Sequence, residues 1–175
     1  DEDRTIIGDA NADFTYGFSN SINYKNFDFS LLIQGSYGNE MLNATRIDLE
    51  GMIDPKNQSI AVLDRWRQPG DITNIPRSSF GNTNNSRIST RFVEDASYAR
   101  VKAVTLGYEL PKNLVDKIKL KSLRFYATGE NLFTITNYSG LDPEVNAFGA
   151  DNVVRGIDFG TYPQTRNILF GASLK

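Results

Sequence analysis

Two neighbouring runs alternate with a period of two, and that restricts this chain to a fold built from strands. Between Asp13 and Tyr24, Phe14, Tyr16, Phe18, Ile22 and Tyr24 fall on one side, interrupted by Asn20. Thr15, Gly17, Ser19, Ser21 and Asn23 fall on the other. Such a period predicts a β-strand, because successive side chains leave a pleated backbone on opposite faces. Lys25-Asn26 predicts a tight turn. The alternation then resumes over Phe27–Tyr37, with Phe27, Phe29, Leu31, Ile33 and Tyr37 set against Asp28, Ser30, Gln34 and Ser36, and Leu32 out of pattern. The apolar side carries aromatics near both ends and aliphatics between them. That order suits a strand crossing a bilayer, with aromatic girdles at the two headgroup levels. It also suits one face of a sandwich core, so alternation alone leaves both architectures open.

Composition removes several chemistries. The chain has no Cys and no His. Thiolate or imidazole metal sites, disulfide frameworks and Cys or His nucleophile–base pairs are therefore excluded from these residues. A net charge of −2 offers no basic surface for nucleic acid. No run approaches the ~20 apolar residues of a spanning helix, but barrel strands escape that criterion because they alternate. The chain opens DEDRT, without Met or a signal peptide, and is expected to be the tail of something larger.

Asp9, Asn11 and Asp13 have the opening spacing of a calcium loop, yet Phe14 stands where such a loop needs Gly and Asn20 where it needs Glu, so calcium is rejected. Three further strands are expected: 97–109, 122–133 and 165–175. The segments 38–96 and 134–164 read as long polar loops, with one short helix around Ser59–Arg67 stopped by Pro69-Gly70 and a helical turn at Leu114–Ile118. In the third strand strict alternation puts Arg100 and Lys102 beside Val104, Leu106 and Tyr108. Either these charges sit at an interface or a bulge switches the faces, since a charge at mid-membrane costs about 2–4 kcal/mol. In the fourth strand Leu123, Phe125, Ala127 and Phe133 oppose Arg124, Tyr126, Thr128 and Glu130, a charged face better suited to a wet lumen than to a dry core. In the last, Ile168, Phe170, Ala172 and Leu174 share a side. A terminal aromatic after Lys175 is expected. Asp142, Glu144, Asp151 and Asp158 could supply paired carboxylates for glycoside hydrolysis, but loop acids of this kind are far more often structural, and no enzyme activity is expected.

With short connections on one side and long ones on the other, the parity of five strands returns the C-terminus to the short-turn side. Five strands cannot close a membrane barrel, which needs about eight or more. An open sheet with unpaired edges is unstable in water or lipid.

The wording of the chain resembles a known family. Ser97, Tyr98, Arg100, Lys102, Thr105, Leu106, Gly107, Tyr108, Leu110 and Pro111 match its SYxRxKxxTLGYxLP run. Leu123, Arg124, Tyr126, Gly129, Asn131, Leu132, Phe133, Thr134, Thr136, Tyr138, Ser139, Gly140, Asp142, Pro143 and Glu144 match LRxYxxGxNLFTxTxYSGxDPE. IIGxxNxDFTYGF at Ile6–Phe18 and RWxxPGDxTxIPR at Arg65–Arg77 extend the match; Ala12 stands where Pro is common. This resembles the C-terminal barrel of SusC/RagA TonB-dependent transporters. The resemblance implies an all-β fold, the last five antiparallel strands of a barrel of about 22 strands, with two extracellular loops and with the plug and TonB box outside this chain. Residues 1–175 would then be wall and loops of an importer of glycans or peptides in the bacterial outer membrane, with a periplasmic C-terminus. Implied partners are a SusD-like surface lipoprotein, TonB, the rest of the barrel and outer-membrane lipid or lipopolysaccharide; no cofactor or nucleic acid is implied. Phe14, Tyr16, Phe18, Ile22, Phe29, Leu31, Ile33, Val104, Leu106, Leu123, Phe125, Ile168, Phe170 and Leu174 would face lipid. Gln34, Arg124, Tyr126, Thr128 and Glu130 would face the lumen. Trp66, Tyr138 and Phe148 are candidate loop contacts to substrate or lid. The competing readings are a soluble β-sandwich carbohydrate-binding module, or a siderophore or vitamin receptor without a lipoprotein lid.

Overall fold

A computed structural model describes residues 4–81, 83–149 and 153–175, which divide into two compact units. The first is a meander of five long antiparallel strands: β1 (Phe14–Tyr24), β2 (Phe27–Tyr37), β5 (Tyr98–Glu109), β6 (Leu123–Thr136) and β8 (Asn167–Leu174), hydrogen-bonded in that order. At 11 residues each, β1 and β2 have the length of a tilted membrane-crossing strand. β6 runs three residues past its expected end at Phe133. The short connections are Lys25-Asn26 and the segment 110–122, which holds α2 (Lys112–Val115) and a 3₁₀ turn (Asp116–Ile118).

Register sorts the side chains. Phe18 opposes Ile33, Ile22 opposes Phe29, Phe29 opposes Leu106, and Leu31 opposes Val104. Ala127 faces Leu106 and Phe170, and Leu123 faces Leu174. Every apolar residue expected on one side therefore shares it. Most of those side chains stay open to solvent, from Tyr16 at 41% exposed to Phe170 at 82%. Phe14 stacks on Tyr37 with centroids 5.3 Å apart at one end of the strands, and Phe27 meets Tyr108 at 4.6 Å at the other. Among the described residues of this unit no second sheet covers this face, which leaves a broad apolar surface of the kind that marks an interaction face.

The two readings of Arg100 are resolved by a bulge. Leu32 pairs with Ala103 but Ile33 pairs with Val101, so Lys102 is the extra residue. The slip exchanges the faces of β5. Arg100 lands opposite Gln34 and Thr134 on the polar side, and Ala99 and Val101 join the apolar side. Strict alternation, which had placed Arg100 with Leu106, fails at this one residue. The same level of β6 carries Asn131 at φ 50°, whose Nδ2 donates to the Thr165 carbonyl at 3.0 Å.

The second unit gathers residues 4–11, 39–96 and 138–163. Read as loops, these segments instead form a folded body. β3 (Glu40–Asn43) pairs antiparallel with β4 (Val93–Asp95) and parallel with β7 (Ile157–Asp158). Met41, Ala96, Tyr138 and Val145 make its core. α1 (Ala44–Glu50) starts at Asn43, whose Oδ1 accepts from the Arg46 N–H at 3.2 Å. The expected helix at Ser59–Arg67 is a 3₁₀ helix over Ile60–Asp64, started by Ser59 Oγ accepting from the Ala61 N–H. Asp9 Oδ1 accepts from the Asn11 N–H at 2.8 Å, an Asx turn that gives this acid a structural role.

Candidate functional site

The loop-derived unit is organised around two carboxylates, the buried Glu50 and the half-buried Glu94. Glu50 accepts from Arg46 Nε at 2.9 Å and from Arg91 Nη2 at 2.8 Å. Glu94 accepts from Arg46 Nη1 at 2.7 Å, from the Ser139 N–H and Oγ at 2.8 Å each, and from Asn43 Nδ2 at 3.2 Å. Arg46 thus bridges α1 to β4, and Ser139 brings in the segment after β6. Hydrogen bonds to Glu50 and then Glu94 outweigh burial and hold the Arg46 guanidinium more firmly protonated than usual. Burial pushes Glu94 up, but the donors from Arg46 and Ser139 prevail and leave its carboxyl below the ordinary range. Arg91 also lies over the ring of Phe92, 4.8 Å from its centroid. Such charges are bearable inside a protein only when paired and hydrogen-bonded.

Tyr138 is 5% exposed and donates its hydroxyl to Asp158 Oδ2 at 2.8 Å. Burial first, and this bond second, push the phenol above its usual range. Tyr138 was expected as a surface contact. It is a core residue instead, because a ring with one satisfied hydroxyl is better buried than displayed. Asp142, 2% exposed, accepts from the Glu144 N–H at 2.9 Å and closes a turn. Gly140 lies so close under the Tyr138 ring that a Cβ would collide with it. Asp142 and Asp158 are therefore committed to structure, and Asp151 lies outside the described residues. Trp66 is half-buried in a hollow with Thr73, Ile75 and Arg77, whereas Phe148 is 57% exposed. Between α1 and the 139–141 and 158–161 segments opens a cavity of about 680 Å³, lined by Asn43, Thr45, Leu49, Ser139, Leu141 and Thr161. Its wall mixes hydroxyl, amide and aliphatic groups with the charged Arg46, Glu50 and Asp158. Among the described residues no cluster of acids could hold a metal ion.

The polar side of the sheet is the second candidate. Gln34, Arg124, Tyr126, Thr128 and Glu130 share it by register. Arg124 Nε donates to Asp28 Oδ1 at 2.8 Å across the intervening β5. The pair runs over Gly107, where any side chain would strike both partners. Thr105 and Thr128 hydroxyls meet at 2.9 Å, and Arg100 Nε donates to Thr134 Oγ1 at 2.8 Å. The Asp28–Arg124 pair was missed from sequence because its partners stand 96 residues apart.

No family model matches the chain. TonB-dependent receptor P3 of Formosa agariphila is 39% identical over 99% of this chain, which covers 17% of that relative. TonB-dependent receptor SusC of Bacteroides thetaiotaomicron is 29% identical over 99% of the chain and 16% of its own length. A structure of the RagAB peptide importer in its closed-closed state superposes with a TM-score of 0.81 at 25% identity, over 97% of this chain and 18% of that one. The chain belongs to the SusC/RagA family of TonB-dependent receptors. It spans about a sixth of the length of the curated relatives it matches.

Within this SusC/RagA segment the motifs that carry the family likeness prove to be architectural. YSGLDPE places the core phenol, the Glu94 cap, the close-packed glycine and the Asx turn. TLGY places the Thr105 bridge, the glycine beneath Asp28–Arg124 and the Tyr108 girdle. NLF places the left-handed Asn131. The fold is a five-stranded section of a TonB-dependent receptor barrel together with its loop-derived unit.

Proposed function

We propose that this chain forms the last strands of an outer-membrane importer, with the two loop segments turned to the cell surface and the C-terminus in the periplasm. The whole receptor would take up glycans or peptides with energy delivered through TonB, beneath a SusD-like surface lipoprotein. The observation that carries this reading is the division of the sheet. One face is apolar but for Asn20, girdled by aromatics and largely exposed; the other is lined with Gln34, Arg100, Arg124, Thr128 and Glu130. Lipid outside and a wet lumen inside satisfy both faces at once, and the remainder of the barrel would pair the open edges of β1 and β8. The hydroxyl-rich cavity beside α1, Trp66 and exposed Phe148 are the places where a polar substrate or the lipoprotein would touch this segment. No catalytic step is assigned.

The soluble sandwich is disfavoured by the same face, whose rings would have to be covered by a second sheet. A receptor without a lipoprotein lid keeps the barrel and is separated by co-purification. Intact mass of the polypeptide carrying this sequence, taken from detergent-solubilised outer membrane, tests the reading. A species several times heavier, accompanied by a lipoprotein, supports it. A free species of this length in the aqueous fraction overturns it.

A further inference from the structure

The short-turn end of the sheet collects lysine. Lys25 sits in the β1–β2 turn, Lys112, Lys117, Lys119 and Lys121 in or beside the β5–β6 connection, and Lys175 after β8. All are exposed. Only two other lysines exist in the chain, Lys56 and Lys102. Three of the arginines are placed differently: Arg46 and Arg91 pair with the buried Glu50, and Arg124 pairs with the half-buried Asp28.

Hydrogen bonds join the two connections and the end of β8 into one surface. Asn26 Nδ2 donates to the Glu109 carbonyl at 2.7 Å, and the Lys121 N–H donates to the Lys175 carbonyl at 2.6 Å. Glu109 and Asp116 are the acids beside them, so the six ammonium groups leave this end strongly positive. It borders the aromatic girdle: Tyr24, Phe27 and Phe125 are about half exposed or more, and Lys25 Nζ lies 5.3 Å from the centre of the Tyr24 ring. Leu114 and Ile118, 45% and 53% exposed, project from the same connection while Val115 is buried. Apolar anchors flanked by lysines, next to aromatics at strand ends, are what a headgroup layer accepts: the alkyl stems and rings enter it and the ammonium groups meet phosphate.

We propose that the β5–β6 connection, with Lys25 and Lys175 beside it, is a foot that binds anionic phospholipid headgroups of the leaflet at the short-turn end. The inference rests on the membrane-barrel reading above. Lysine suits this role because a compact ammonium on a flexible stem follows mobile headgroups, whereas arginine's planar fork suits fixed carboxylate pairs.

The test uses the full-length receptor that carries this segment, purified from outer membranes and placed in nanodiscs of phosphatidylethanolamine with or without phosphatidylglycerol. Native mass spectrometry counts retained phosphatidylglycerol, and thermal unfolding reads its stabilising effect. Replacing Lys112, Lys117, Lys119 and Lys121 together by Gln is expected to weaken phosphatidylglycerol retention by about tenfold or more. The matching Lys→Arg protein keeps most of it, and both proteins still assemble as heat-resistant barrels. Unchanged retention in the Gln variant overturns the foot while leaving the barrel intact. Unchanged retention coupled with loss of an acidic soluble protein also overturns it, and reassigns the lysines to that protein. Failure of the wild type to enter nanodiscs at all would instead strike the membrane reading.

Discussion

The loop-derived unit buries its charges, whereas the five-stranded sheet exposes its apolar side chains. In the former, buried Glu50 and half-buried Glu94 are shared among Arg46, Arg91, Asn43 and Ser139 around a small core. In the latter, Phe18, Leu106, Phe133 and Phe170 point into the surroundings, and the ion pair Asp28–Arg124 lies on the face a soluble protein would keep wet. The loop-derived unit therefore carries its own reasons to fold. The sheet takes its stabilisation from what surrounds it. On the proposed reading the two strategies are complementary: loops that hold their shape in water, and a wall whose apolar face meets lipid.

The contrast can be broken most severely at Glu50. Glu50→Ala leaves Arg46 and Arg91 facing each other without their shared carboxylate, and loss of one partner from a buried pair costs about 3–5 kcal/mol. Hydrogen exchange in peptides spanning 44–50 and 91–96 should rise steeply while strand peptides stay protected. Parallel loss of protection in the strands would show that the two units do not fold independently. Next is Ile33→Arg, at the centre of the apolar face, with an expected cost of about 2–4 kcal/mol in a bilayer. Urea titration of the receptor in vesicles should show it, and Gln34→Arg, one residue along on the polar face, should change stability by under about 1 kcal/mol. Equal effects at the two positions would refute the assignment of faces. Tyr138→Phe is milder: it strips Asp158 of a buried donor, at about 1–3 kcal/mol, read as faster exchange around 138–145.

The smallest effect is acidic. Because the folded Glu94 carboxyl ionises below its ordinary value of 4.5, its contribution is fully present above that value and fades as pH falls through the lower folded one. The loop-derived unit should loosen below about pH 4.5 and stay unchanged between pH 6 and 8. Glu94→Gln should flatten that dependence. A loosening midpoint near neutrality would point to another group.

Much of the wall was legible in the residues. Alternation located all five strands within a few residues, since a sheet with unlike faces writes its period into the chain. It failed at Lys102, where one extra residue turns Arg100 to the polar side, because a bulge changes register without changing composition. The loop-derived unit was hardly legible. α1 is 7 residues long, β3 is 4 and β7 is 2, too short to display a period. Tyr138 looked like a surface aromatic because nothing nearby in sequence reveals Asp158 beneath its hydroxyl.

By itself, then, the order of residues determined which side chains share each face outside the start of β5, where the aromatics fall along the strands and that five strands need further strands, because these follow from the two-residue pleat. Only the tertiary structure decided that Glu50 and Glu94 would be the centre of a folded unit, that Asp28 would meet Arg124, and that the lysines of two separate turns and of the end of β8 would form one surface. Those arrangements depend on segments tens of residues apart meeting in space, and no local period encodes such a meeting.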